Sequence, residues 1–419
     1  MMANFKTQIQ IPPILNMAQW ILVIGIFFYN RIELVTTFFA SLIVLYHYGA
    51  FRKSHILKYM IAVFGLSFVT AHFCGYSIGN MVQQMFFIAT IYLLYEQFFL
   101  YNLNWLESLF RKFIKASYWV SCLGILELIV WIALKYDISN ILDCQWITGM
   151  PGMTVEMGPL VRVRSTELEG GCLGIQLIPS LIYLFYFNDP YKVLVGRRRY
   201  VILFSSLFTV SPFVYLSLAV ICYLKIIKLF PRLKVLFVAC GILGCVSLFL
   251  MLQTSTNVEQ NATGVDGILM RIQDTSTQIE QLDDRDATLQ TNVSTAVLMT
   301  NLYSAIHAPS RLFGTGVGTN RQNYERSYGF YRSYENSVTT LNLDDAYSLG
   351  IRIFSELGYV GIFCLLMFLI KNYKRNAINI CMLSMIVPFI FRGGVYVGYG
   401  TTFIFFLYYY SSKLGKCLK

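Results

Sequence analysis

Charge is what this chain has least of. Only 13% of its 419 residues are charged, about half the share of an ordinary soluble domain. Hydrophobic residues make up 56%, and the mean hydropathy is +0.56. Together these exclude a soluble globular enzyme and imply an integral membrane protein built mainly of spanning helices. Histidine is nearly missing, with four residues in all. No CxxC or Cys/His ligand spacing occurs, which argues against a structural zinc. The ten cysteines fall mostly in apolar stretches, where a thiol behaves as a small hydrophobe, although Cys144 and Cys172 flank a loop and could pair. The first apolar segment, Ile14–Phe28, lacks a small-residue cleavage site and reads as a retained span. No internal repeat or low-complexity tract is visible, which argues against a transporter built from repeated halves.

Basic residues are present in excess, with a net charge of +11, but they sit in short runs beside apolar stretches. The runs are Arg52-Lys53, Arg111-Lys112 with Lys115, Arg197-Arg198-Arg199, Lys225 to Lys234, Lys371 to Arg375 and Lys413 to Lys419. That is the bias of cytoplasmic loops, not a nucleic-acid surface. The candidate spans are 12–30, 33–50, 56–75, 80–102, 116–135, 172–188, 201–227, 235–253, 345–370, 376–391 and 399–412. A single span over 201–227 would put Lys225–Lys234 outside. The stretch Thr209-Val-Ser-Pro212 removes the conflict, because proline lacks a donor and disfavours helix in the residue before it. Two segments, 201–209 and 212–227, are then expected to form a hairpin that enters and returns. Non-helical backbone at membrane depth survives only where protein or water satisfies it.

The expected fold is therefore all-α and polytopic, with about twelve transmembrane segments and both termini cytoplasmic. Residues 1–253 would hold nine segments and an outer loop at 137–171. A large outer-loop subdomain would occupy 254–342, and the C-terminal spans 343–419. The long insert contains Arg271, Arg285, His307 and a helical pattern over Gly267–Ile306, which Pro309 and a glycine turn end. That turn, Gly314-Thr-Gly-Val-Gly318, permits close backbone approach to a ligand. It has no preceding strand and no lysine, so it is not a nucleotide loop. A tyrosine cluster follows it, including Tyr324 and Tyr347; such rings suit a sugar platform or an interfacial belt. Arg352 and Glu356 lie four apart in one span and share a helix face.

Three stretches carry a resemblance. Arg162-Val-Arg-Ser-Thr-Glu-Leu-Glu-Gly-Gly171 leads into a span. Arg285 precedes a helix that ends in Pro309-Ser-Arg-Leu-Phe-Gly-Thr-Gly-Val-Gly-Thr-Asn320. Asp344-Asp345 is followed by Ser355-Glu-Leu-Gly-Tyr-Val-Gly361. In this order they resemble the bacterial O-antigen polymerase family (Wzy-type), which is similar to the O-antigen ligases. The resemblance implies a membrane-embedded, metal-independent, inverting glycosyltransferase of the inner membrane that needs no cofactor. Its substrates would be oligosaccharides on undecaprenyl pyrophosphate, polymerised at the periplasmic face into lipopolysaccharide O-antigen. Partners would include inner-membrane lipids, a chain-length regulator and a flippase. A ligase-like transferase and a lipid-linked oligosaccharide transporter are the alternatives.

The motif arginines would be Arg164 and Arg285, with Arg162, Arg271 and Arg311 as neighbours. Guanidinium forks suit a pyrophosphate leaving group, although headgroup contact is the competing role. A general base is needed for the acceptor hydroxyl. Ligase relatives place a histidine shortly before the ElGxxG stretch; here Asp344 and Asp345 stand there, and Asp345 is preferred. His307 is the rival, and Glu167 and Glu169 are further candidates unless they only pair with Arg162 and Arg164.

Overall fold

The computed structural model describes residues 11–28, 30–142, 156–157, 160–167, 169–194, 196–230, 293–328, 343–344, 346–393 and 395–414. The expected span 235–253, most of the insert 254–342, and Cys144 lie outside these residues. The first helices are α1 (Pro13–Ile26), α2 (Asn30–Tyr48), α3 (Leu57–Cys74), α4 (Gly79–Tyr101), α5 (Leu106–Leu134) and a short α6 (Ser139–Leu142). Then come α7 (Gly170–Leu181, extended by a π-helical turn Ile182–Tyr186), α8 (Arg198–Phe208) and α9 (Pro212–Leu229). The remainder are α10 (Val293–Ile306), α11 (Asn320–Tyr328), α12 (Leu349–Asn372), α13 (Ala377–Phe391) and α14 (Thr401–Ser411). The protein is a helical membrane protein; its one sheet among the described residues is a two-residue antiparallel pair, Glu156–Met157 with Leu160–Val161. Among the described residues four helices are long and apolar enough to cross a bilayer: α3, α5 with its leading turn, α9 and α12.

Lipid offers no hydrophobic reward for helix association, so polar contacts and close packing hold such a bundle together. Gln19 of α1 donates to Asn102 at 2.8 Å and accepts from the buried Lys112 of α5. Ser180 donates to Ser117 at 2.7 Å. Tyr95 donates to Glu33 at 3.0 Å, and Glu33 accepts the Gly400 N–H at 2.8 Å. These contacts also explain a difference at α5, which starts ten residues before the expected 116. Arg111 and Lys112 are helical, because Lys112 is held by Gln19 and Arg111 pairs with Glu107 one turn back.

Contacts among the described residues sort connecting segments to two ends. At one end Arg52 donates to Leu100 O, Tyr200 packs on Phe185, and Asn376 donates to Ser411 O. At the other end Thr166 reaches Phe27 O, Gln322 reaches Ser77, and Arg392 pairs with Glu169.

The expected hairpin is present. Helix α8 stops at Phe208, Val210 takes φ +47°, and Pro212 opens α9 in the first turn, where its missing N–H costs nothing. Arg199 and Tyr200 pack on Phe185 near the far end of α7. Thr209 and Ser211 lie instead against Gly174 at its near end. The α9 chain then runs back along α7 to its π-helical turn.

The glycine turn docks into a second break. Helix α12 kinks at Gly358, with φ +64°, and the turn segment of residues 311–316 pairs with the exposed backbone. Gly316 N–H donates to Glu356 O at 2.8 Å, and Tyr359 N–H donates to Arg311 O at 2.9 Å. A Cβ on Gly314 would stand 2.3 Å from the Glu356 carbonyl, at φ +70°. Gly314→Ala is therefore expected to cost about 3 kcal/mol or more, from a left-handed backbone plus overpacking. Thermal unfolding in detergent checks it; an unchanged midpoint would mean the dock has slack.

Candidate functional site

Loop three carries its arginines into two different environments. Its chain runs beside the hairpin break, where Val163 N–H donates to Phe208 O at 2.9 Å and Arg162 Nε donates to Thr209 O at 2.6 Å. The Arg162 side chain thus caps a carbonyl that the interrupted helix leaves over. Helix α7 starts at once afterwards with Gly170 and Gly171, both buried. A Cβ at Gly171 would meet Arg162 Nη2 at 3.2 Å and Arg392 Nη2 at 3.8 Å. Two guanidinium groups, more than two hundred residues apart in sequence, therefore converge over the first turn of one helix. That helix end carries partial positive charge of its own.

Glu169 sits at the edge, 3.5 Å from Arg392 Nη2. Tyr347, with φ +61°, lies under the same guanidinium at 5.9 Å and accepts the Gly393 N–H at 2.9 Å. Arg162, Glu169 and Tyr347 thus lie around Arg392, a residue the sequence reading had not singled out. Its sequence signal was an isolated cation between apolar stretches, followed by Gly393-Gly394.

Arg164 is placed differently. It is completely buried, with Nη2 3.5 Å from Asp137 and Nη1 donating to Glu167 O at 3.4 Å. The N–H groups of Arg164 and Ser165 both donate to Glu127 of α5, the second at 2.7 Å. Ser165 takes φ +52° to do so. The Arg164 side chain is a clasp between Asp137, just past the end of α5, and the Glu167 carbonyl, so the motif arginine facing the α7 terminus is Arg162.

Glu167 is buried as well, receiving the Gln176 amide at 2.6 Å. Burial pushes its carboxyl up to about 8, against the opposing effect of the Gln176 hydrogen bond, and Glu33 adds repulsion. The folded chain then holds this proton between about pH 4.5 and about pH 8 while the unfolded chain loses it. Stability from this group is accordingly full below that window and falls as pH rises through it. Glu167→Gln should give a shallower decline in melting temperature between about pH 5 and about pH 9; an unaltered slope would remove Glu167 as its source.

The insert's described part forms a separate centre. Helix α10 ends at Ile306, and His307 there is exposed, its Nδ1 at 2.9 Å from Tyr303 O and its ring stacked on Tyr303. Arg311 is exposed and contributes its carbonyl to α12. The glycines make close approaches, but to the protein's own chain. Gly314 abuts Glu356, Gly316 abuts Ser67 O, and Gly318 abuts Gln84. Tyr324 is buried, so its ring packs within the fold instead of forming a sugar platform. Asp344 is exposed and lies 3.9 Å from Arg321.

Arg352 and Glu356 do pair, at 3.4 Å, and Arg352 also donates to Gln84 at 2.8 Å and lies 4.3 Å from the Tyr396 ring. Arg271, Arg285 and Asp345 lie outside the described residues. Among the described residues, no cluster of three or more His, Cys, Asp or Glu could hold a metal ion. Comparison with family models, with curated proteins and with solved structures finds no match for this chain.

Proposed function

We propose that this chain is a membrane-embedded glycosyltransferase of the O-antigen polymerase type, acting on undecaprenyl-pyrophosphate-linked oligosaccharides at the periplasmic face of a bacterial inner membrane. The observation that carries the reading is the convergence of Arg162 and Arg392 on the first turn of α7, with a bare glycine between them. A pyrophosphate leaving group develops concentrated negative charge. Planar guanidinium forks and a helix N-terminus held in place before the reaction stabilise such charge without reorganising. The site lies at the end of apolar helices, where a lipid-borne pyrophosphate would sit.

The orientation assigned by this reading follows from charge. Arg52, Arg197 to Arg199 and Lys371 to Arg375 collect at the opposite end from the arginine pair, as cytoplasmic loops do. The expected twelve-segment arrangement belongs to the same reading. In the reaction, the anomeric carbon of the growing glycan would leave its pyrophosphate as an acceptor hydroxyl attacks from the opposite side. The proton would pass to a carboxylate, for which Asp345 remains the choice.

The test is direct. Purified full-length protein in lipid discs, supplied with synthetic lipid-linked repeat units, should produce a ladder of oligomers and free lipid pyrophosphate. Repeat units that stay single, with the protein folded and the lipid carrier intact, would sink the reading. Transfer to a lipid A core, with no ladder, would favour the ligase-like alternative.

A further inference from the structure

Away from the arginine pair, a cleft of about 600 Å³ opens between α4 and α11. One face of α4 lines it at helical spacing: Asn80, Gln83 and Gln84, then Phe87 and Thr90. Along α4 from its N-terminal end the lining changes from carboxamide to aromatic, and Phe87 is itself 43% exposed. Gln322 of α11 forms the opposite lip, held there by two hydrogen bonds to the Ser77 backbone at 2.8 and 3.1 Å. Asn80 and Gln83 are exposed, and Phe86 beside them is 74% exposed.

A stripe of carboxamides at the start of an apolar helix is costly against lipid, because amide groups in hydrocarbon lack partners. Its chemistry matches one class of ligand. A carboxamide donates and accepts at once, as a sugar hydroxyl does, and an aromatic face suits the apolar C–H face of a pyranose. The charged residues at the mouth, Arg321 and Asp344, lie 3.9 Å apart and offset each other, so the cleft offers no surplus charge to a phosphate.

We infer that this cleft holds an uncharged sugar of the acceptor glycan, hydrogen-bonded by Asn80 and Gln83 and stacked on Phe87. The inference takes its ligand class from the glycosyl-transfer reading, but its geometry is independent of the arginine pair. The cleft's inner wall connects it to the membrane core. Gln84 holds Arg352 at 2.8 Å, and Gly318 approaches Gln84 on one side while its turn docks on the Glu356 backbone. An occupant would thereby rest against Gly318 and Gln84, beside the glycine turn that docks the insert on α12.

The experiment uses the full chain in lipid discs and saturation-transfer NMR. The probes are octyl β-glucoside and octyl β-galactoside below their micelle concentrations, with octyl phosphate as competitor. At least one glycoside should receive saturation on its ring protons. That signal should fall about fivefold for each hydrogen-bonding side chain lost, in Asn80→Ala and in Gln83→Ala. Gln83→Glu, which retains size but cannot donate, should weaken it too; octyl phosphate should not displace it. Ring protons silent for both glycosides, saturation confined to the octyl chain, indifference to all three substitutions, or equal displacement by octyl phosphate would each overturn the inference. Ring saturation that survives in a protein making no polymer would separate failure of the polymerase reading from failure of this one.

Discussion

Arg392→Ala is expected to leave the chain folded in the membrane and to abolish polymer. The two halves of that result have different causes. Arg392 and Glu169 are both partly solvent-exposed, with side chains 24% and 35% accessible, and an ion pair in that setting contributes only about 0–1 kcal/mol to stability. The cation–aromatic contact with Tyr347 is long, at 5.9 Å, and adds little. Removing the guanidinium should therefore leave yield and melting temperature near wild type.

Its effect on transfer is larger, because a donor aimed at developing charge in a preorganised site supplies about 3–4 kcal/mol, or roughly a hundred- to a thousandfold in rate. Arg392→Lys retains the charge but loses the planar fork, so it should recover only part of the activity. Rates come from the oligomer ladder in lipid discs, and folding from the melting curve of the same preparation. Polymer at wild-type rate in Arg392→Ala would reduce the arginine pair to headgroup anchors.

How far the sequence foretold this centre depends on the kind of signal each residue carries. The hairpin was legible at Thr209-Val-Ser-Pro212, because a proline inside an apolar stretch acts locally. Its break appears at those residues. The ending of α10 near Pro309 was legible for the same local reason. Arg162 and Glu169 were legible as a charged run entering a span.

Arg392 was not, since nothing within its own stretch points to Glu169, some two hundred residues away. Only the packing of α13 against α7 joins them. The glycine turn was recognised as a place of close approach, but the partner is α12's own break at Gly358, a contact between two irregular segments that no periodicity encodes. Burial misled most at Arg164. A motif arginine and a structural arginine look alike in one dimension, and the Asp137 that pairs with this side chain lies outside its own stretch, just past the end of α5.

Arg164→Ala is expected to remove polymer by a different route, through loss of the folded protein. The Arg164 side chain has no exposed surface and Asp137 only 13%, so truncation takes the Arg164 cation from a largely desolvated carboxylate that keeps its hydrogen bonds from Ser139. Breaking a buried pair from one side costs about 3–5 kcal/mol, a large part of the 5–15 kcal/mol that holds a typical domain together. Loop three would also lose the hold that Nη1 has on the Glu167 carbonyl. The Glu127 contacts run to backbone N–H groups and would persist. The amount of membrane-extracted protein and its melting temperature should both drop, unlike those of Arg392→Ala.

Glu127→Gln provides the second arm. It keeps the acceptor for the Ser165 N–H while removing the charge, so it should destabilise less than Arg164→Ala and retain polymer in proportion to the folded fraction. Activity per folded molecule is the deciding quantity. If Arg164→Ala is extracted in normal amount, melts normally and makes no polymer, the clasp assignment fails and Arg164 moves to the reaction centre beside Arg162.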